Sequence, residues 1–284
     1  MTKKILAQMG YHEEPISVCP FIREEDGEEY GVWRVEYPDK TLVLKQAKGR
    51  EYEIYRTFLS SCSDFSPKIY GFTTYNGAQY LLMEYIQGHD LMKCTREDLT
   101  KALDSLIRMQ QASWNGADLV NSFGSALEGR QKRANYLHNE RLEQAYDAYL
   151  QEFSALPRAL CHDDLLPFNV IVSDTRAVFI DWEVGGMLPY PTSLARLIAH
   201  AAQDESAFFF MKEDDKAFAI DYYFDQFIKG RGIPYETYRR SLDLCLFYEY
   251  CEWIYVGYKY NNMNNDRFIA YSVQANQMAE KLGY

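Results

Sequence analysis

Apolar and polar residues alternate along Val32-Trp33-Arg34-Val35-Glu36-Tyr37 and continue as Thr41-Leu42-Val43-Leu44-Lys45, with Pro38-Asp39-Lys40 between the two runs. A period of two marks strands with one buried face, so this stretch predicts a hairpin. From Arg50 to Ser60 the spacing changes: Ile54, Tyr55 and Phe58 fit one face of a helix. Ile69 to Thr74 and Gln79 to Tyr85 read as two more strands, joined across the tight-turn pair Asn76-Gly77.

Gln87-Gly88-His89-Asp90 breaks this pattern, and from Arg96 onward the chain reads as mostly helical. Asp98 to Ala112 and Arg130 to Phe153 predict two helices. A single short β stretch is predicted there: Val170-Ile171-Val172, a turn at Ser173-Asp174-Thr175-Arg176, and Ala177-Val178-Phe179-Ile180. Leu194 to the end reads helical, with a break at Gly230-Arg231-Gly232-Ile233-Pro234. A strand-rich part followed by a helix-rich part predicts an α+β chain of two lobes, 1–86 and 87–284.

With 47% hydrophobic and 25% charged residues in 284, the chain can bury a sizeable core. The formal net charge of −11 argues against a nucleic-acid partner, because an acidic surface repels a phosphate backbone. It weakly favours cationic ligands. No apolar run approaches the ~18 residues of a membrane span, and Met1 to Gly10 does not read as a secretion signal. Six scattered cysteines contain no C-x-x-C pair, which disfavours zinc and suits free thiols in a reducing cytoplasm.

The candidate chemistry lies in Cys161-His162-Asp163-Asp164-Leu165-Leu166-Pro167-Phe168-Asn169 and in Ile180-Asp181-Trp182-Glu183. Asp164 and Asn169 stand five apart on a loop that opens the predicted hairpin, and Asp181 closes it. Two acids and an amide thus return to one end of a two-stranded ribbon. That arrangement suits phosphoryl transfer, with one carboxylate orienting a hydroxyl while hard oxygens hold magnesium.

His162-x-Asp164-x4-Asn169, followed by Ile180-Asp181-Trp182-Glu183, resembles the Brenner-type motif and metal-binding acid of the aminoglycoside phosphotransferase and choline kinase family. Members share the bilobal protein-kinase-like fold, with a small β-rich N-lobe and a larger helical C-lobe. The resemblance extends over most of the chain. Val43-Leu44-Lys45 is similar to the family's strand lysine, and Arg50 to Arg56 to its helix glutamate segment. Tyr80 to Gly88 is similar to the strand and hinge that receive adenine, and Leu194-Ala195-Arg196-Leu197 to the helix after the metal loop.

The resemblance implies a role for each matching position. Asp164 orients the acceptor hydroxyl, and Asn169 and Asp181 bind Mg2+. Lys45 holds the α and β phosphates of ATP and pairs with Glu51, or with Glu53 if the helix begins later. The Glu84 carbonyl and the Ile86 amide receive the base. His162 shapes the loop, and Glu183 fits either a metal ligand or a charge beside the metal.

Three positions depart from the family pattern. Asp163 stands where a small residue is usual, and Ser193 where an acid usually braces the catalytic loop. The loop expected over the phosphates, Arg23-Glu24-Glu25-Asp26-Gly27-Glu28-Glu29-Tyr30-Gly31, carries five acids. Acids over a triphosphate repel it. The acidic loop and Ser193 support an alternative reading, a pseudokinase-like binding or structural protein.

On a helix, Glu249, Glu252 and Trp253 fall on one face, where two acids beside an indole can hold an ammonium or an aminoglycoside. The same residues also fit a core helix whose glutamates form ion pairs. Trp114 and Tyr136 are further candidates for the cleft. The resulting expectation is an ATP-dependent phosphotransferase acting on a hydroxyl of a small, cationic molecule such as an aminoglycoside, choline or a similar amino alcohol.

Overall fold

Strand alternation in the first hairpin is realised as a two-faced sheet. In a computed structural model that describes residues 1–22 and 27–284, β2 (Glu29–Glu36) pairs antiparallel with β3 (Thr41–Gln46), Trp33 opposite Leu44 and Val35 opposite Leu42. These four side chains are buried with Tyr80 and Leu82 of β5 (Ala78–Glu84) against Ile5 and Leu6 of the short helix α1 (Thr2–Gln8). Each such burial contributes roughly 1.5–3 kcal/mol. The opposite face presents Val43, Leu81 and Met83 to Ile54 of helix α2 (Glu51–Ile54) and to Tyr55 of the π-helical turn that continues it over Tyr55–Leu59. With β1 (Ser17–Ile22) and β4 (Ile69–Tyr75), the five strands run in the antiparallel order β1-β2-β3-β5-β4.

The remainder is mainly helical: α3 (Arg96–Ser113), α4 (Ser122–Ala134), α5 (Glu140–Ala155), α6 (Pro191–Ala199), α7 (Glu213–Tyr223), α8 (Tyr235–Lys259) and α9 (Asp266–Lys281). The result is a small antiparallel sheet lobe joined to a helical C-terminal region. The two share one hydrophobic core, which runs from Leu81 and Tyr55 through Phe179 and Trp182 to Tyr146, Tyr149 and Phe247.

Four expectations need correction. The helix predicted over 130–153 is two helices. His138 adopts left-handed backbone (φ 49), and the Asn139 side chain caps α5 by accepting from the Leu142 amide at 3.1 Å. An Asn cap satisfies a donor that a continuing helix would have used internally. The helical part also holds a second ribbon, β7 (Arg158–Cys161) with β10 (Gly186–Pro189), besides β8 (Val170–Val172), which lies between β9 (Ala177–Phe179) and the short β6 (His89–Asp90). Residues 200–212 are not helical: Ala202 and Lys93 bridge to Phe210. Residues 2–8 form a helix where no element was predicted.

Gly88 fixes how the hinge meets the C-terminal part. A Cβ at this position would lie 2.2 Å from the Val172 carbonyl oxygen, so only glycine lets the backbone pass β8 this closely. All six cysteines are free thiols. No helix among the described residues is long and apolar enough to cross a membrane.

Candidate active site

Lys45 points from β3 into the gap between sheet and helices. Its Nζ lies 2.7 Å from Glu51 Oε1 and 2.8 Å from Asp181 Oδ1. Glu51 is fully buried at the start of α2, while Glu53, one turn-step away, is exposed. Burial opposes the Lys45 charge, but Glu51 and Asp181 outweigh it and hold the ammonium above its ordinary pKa. Asp181 follows β9 with left-handed backbone (φ 66), a conformation Asp tolerates better than most residues and one that turns the chain sharply at the ribbon's end.

The loop before β8 is held from several sides. The buried His162 ring bonds the Ile180 carbonyl through Nε2 at 2.7 Å and packs against Trp182. Burial lowers its pKa to about 4, so it is neutral at pH 7 with the proton on Nε2. Its backbone amide donates to Ser193 Oγ at 2.9 Å. The hydroxyl of Ser193 therefore supplies the loop-bracing acceptor for which the family pattern has an acid. Asp163 (φ 58) turns inward and meets the buried Arg130 guanidinium, at 2.5 Å from Nη2 and 3.2 Å from Nη1. The extra charge at this position is thus neutralised within the fold.

Asp164 faces the other way. Arg196 of α6 contacts its Oδ1 from Nε (3.1 Å) and Nη2 (2.7 Å). Burial raises the Asp164 pKa to about 6, against the opposing pull of Arg196. Asn169 donates from Nδ2 to the Asp164 carbonyl at 2.8 Å, which leaves its Oδ1 unengaged among the described residues. Asn169 Oδ1 and the Asp181 carboxylate are hard donors of the kind magnesium takes. Among the described residues no three acids, histidines or cysteines converge as a preformed cage. That donor set fits an ion which keeps waters and is completed by phosphate oxygens.

Two clefts open on this centre. The first, of about 420 Å³, lies between sheet and hinge, with Val32, Val43, Met83 and Ile171 as apolar walls and Lys45 and Asp181 at its inner end. Such a slot can take a flat ring with an anionic tail. Glu84 and Ile86 both border it. The Glu84 carboxylate is engaged by Arg176 at 2.9 Å and accepts from the Lys68 amide at 3.1 Å. Of the acidic loop, Glu28 and Glu29 are exposed, and residues 23–26 lie outside the described residues.

The second cleft, of about 410 Å³, is lined by Arg50, Arg133, Asp164, Arg196 and Glu252, among others. From the sequence, Glu249, Glu252 and Trp253 fit either an acceptor site or a core helix with internal ion pairs. The structure pairs both glutamates with Arg196 Nη1, each at 2.7 Å. Glu249 is buried and also meets His200 at 3.2 Å, while Glu252 also meets Arg133 at 3.1 Å. Burial opposes the Glu249 charge, but Arg196 and His200 outweigh it and hold the carboxylate below its usual range. Trp253 does not line this cleft: it stacks on Tyr271 beneath Arg267, with its Nε1 3.4 Å from His200 Nε2. Trp114 packs among Tyr190, Phe227 and Arg231, and Tyr136 against Tyr255. Sequence reasoning did not place Arg50, Arg130, Arg133 or Arg196 at the site. Their one sequence signal, arginine at 130 and 133 on one helix face, is too common to single them out.

The sequence profile of the phosphotransferase enzyme family, APH, matches residues 24–223. Protein LicA of Haemophilus influenzae is 23% identical over 194 residues, covering 65% of this chain and 68% of that protein. Among solved structures, choline kinase LicA from Streptococcus pneumoniae aligns with a TM-score of 0.60 at 17% identity over 99% of both chains. A choline kinase from Cryptosporidium parvum aligns at 0.63 with 12% identity, over 99% of this chain and 96% of its own. The aminoglycoside phosphotransferase APH(4)-Ia, in complex with AMP-PNP and hygromycin B, aligns at 0.62 with 13% identity over 99% of both chains. At these identities the likeness establishes a shared protein-kinase-like fold. The profile covers most of the chain, and the protein therefore belongs to the APH phosphotransferase enzyme family, as a small-molecule kinase.

Proposed function

We propose that the protein transfers the γ-phosphoryl group of ATP, with magnesium, to a hydroxyl of a small molecule bound in the second cleft. The observation that carries this reading is the contact of Lys45 with both Glu51 and Asp181. It joins the strand lysine, the helix glutamate and the ribbon acid across 136 residues of sequence. Residues 1–86 form the nucleotide-binding part, and residues 87–284 the catalytic and acceptor-binding part.

In this reading the adenine ring lies between Val32, Val43, Met83 and Ile171, with its edge toward the Glu84 carbonyl and the Ile86 amide. Lys45 holds the α and β phosphates, and Glu51 keeps its ammonium aimed inward. Asn169 Oδ1 and Asp181 would hold magnesium, which neutralises phosphate charge. Asp164 accepts the acceptor hydroxyl's hydrogen bond and directs its oxygen in line with the γ-phosphorus; most of the rate gain comes from this positioning. Ser193 and His162 keep the loop in the shape that presents Asp164. The complexes of APH(4)-Ia with AMP-PNP and ADP support the choice of ATP. Titration of Mg-ATP by calorimetry, followed by a screen of hydroxylated small molecules for ADP release, tests the function. Absence of Mg-ATP binding, or ADP release with no acceptor dependence, would count against it.

A further inference from the structure

The cleft beside Asp164 has little unpaired negative charge left for a cation. Among the described residues, three of its four lining carboxylates already face arginines: Asp163 meets Arg130, Asp164 meets Arg196, and Glu252 meets both Arg196 and Arg133. Glu249, behind the cleft wall, is also held by Arg196. The fourth carboxylate, Glu183, stands two residues beyond Asp181, at the metal end of the loop.

The aromatic positions that could receive an ammonium are likewise occupied by the protein's own cations. Arg130 lies 4.5 Å from the centroid of Tyr248, the one aromatic ring lining the cleft. Further along α8, Arg133 and Lys259 lie over Tyr255, and Arg267 over Trp253. A cationic acceptor would have to displace an internal guanidinium at each of these places.

Two of the lining arginines are less fully engaged. Arg50 is half-buried and forms no ion pair among the described residues; its one side-chain hydrogen bond is a 3.4 Å contact to the Asn121 carbonyl. Its backbone is fixed at the cleft mouth, because the Arg50 amide donates to the Glu183 carbonyl at 3.2 Å. Arg133 reaches Glu252 with Nη2, but its Nε is buried without a hydrogen-bond partner. Its Nη1 makes no hydrogen bond among the described residues, so the partly exposed guanidinium keeps donors for a ligand oxygen. Guanidinium forks match planar or tetrahedral oxyanions, whereas they repel ammonium groups.

We propose, resting on the phosphotransferase reading above, that the acceptor is a hydroxylated small molecule carrying an oxyanion, a carboxylate or a phosphate, bound by Arg133 and Arg50. The oxyanion sits away from Asp164, so that the hydroxyl end of the molecule reaches Oδ2. Anionic acceptors need such arginines for a second reason: the γ-phosphoryl group they approach is itself negative.

The test compares glucose, glucosamine, gluconate and glucose 6-phosphate, one carbon scaffold with four charge types, together with choline. Calorimetric titrations are run on the full chain with Mg-AMP-PNP present, which keeps phosphate ligands out of the nucleotide cleft, and also without nucleotide. Gluconate or glucose 6-phosphate is expected to bind roughly tenfold or more tighter than glucose and glucosamine. Arg133→Met and Arg50→Met should each weaken that binding by roughly tenfold, with Arg133→Lys recovering part of it. The preferred anion distinguishes carboxylate from phosphate. Tighter binding of glucosamine or choline overturns the proposal, as does anion binding unchanged in both methionine variants, or no anion binding at all. ADP release with glucosamine or choline as acceptor would sustain the kinase function and remove only the anionic acceptor. Arginine-dependent anion binding in a protein that binds no Mg-ATP would do the reverse.

Discussion

Arg196 contacts one oxygen of Asp164 twice, from Nε at 3.1 Å and from Nη2 at 2.7 Å. The other oxygen, Oδ2, has only a long 3.4 Å approach from Asn169 Nδ2. Oδ2 is therefore the oxygen that the proposed reaction would use for an acceptor hydroxyl; Arg196 fixes the aim of the carboxylate and opposes the rise in pKa that burial causes.

This relationship predicts a pH profile. With the Asp164 pKa raised to about 6, the carboxylate is charged above that pH and protonated below it. Only the charged form accepts a hydroxyl proton, so kcat/KM should fall about tenfold per unit on the acid side of pH 6. Arg196 pulls this pKa down while Glu249 and Glu252 push it up. Arg196→Met should therefore move the acid limb to higher pH. An unmoved limb in the variant would assign the titration to another group.

Replacing the carboxylate itself separates catalysis from nucleotide binding. Asp164→Ala is expected to leave Mg-ATP affinity nearly unchanged, because Lys45, Asn169 and Asp181 remain. Turnover should fall by on the order of 10²–10⁴. Equal turnover of variant and parent would mean that Asp164 does not act on the acceptor.

At the metal end, Asp181→Asn should abolish the magnesium-dependent part of ATP binding, since only neutral amide oxygens would remain at positions 169 and 181 for a divalent cation. Calorimetry with and without magnesium reads this directly. Retained magnesium dependence would move the metal to Glu183.

Asp163 and Arg130 give a stability prediction. Arg130 is buried beneath Tyr248 and Phe153, and burial of its charge is outweighed by Asp163. Asp163→Ala leaves that guanidinium without its counter-charge and should cost about 3–5 kcal/mol. Asp164→Ala should cost less, because Arg196 keeps Glu249 and Glu252. Denaturant unfolding of the two variants compares them.

Ser193→Ala removes the acceptor for the buried His162 amide, for an expected loss of about 1–3 kcal/mol. If Ser193 also presents Asp164, kcat should fall while KM for ATP stays constant. A fall in stability without any fall in kcat would limit Ser193 to a structural role.

What the sequence determined by itself is the part of the site written in short-range order. Asp164, Asn169 and Asp181 lie on one loop and one ribbon, and a hairpin must return its two ends to the same place. Lys45 and Glu51 lie on a strand and the helix after it, so few geometries are open to them. The sheet was legible for the same reason, because a period of two names the buried face. The breaks were harder to read: nothing in the periodicity of 130–153 shows that His138 turns left-handed and that Asn139 restarts the helix.

Only the tertiary structure decided the charge balance of the second cleft. Glu249 and Glu252 share a helix face with an indole, and that spacing fits a cation site and an internal ion pair equally well. The choice depends on what α4 and α6 bring against that face. They bring Arg133 and Arg196, which reach α8 from positions more than fifty residues earlier in the chain. An ion pair has no sequence period, so it is settled by which helices pack together, and packing is decided by the apolar residues of the shared core.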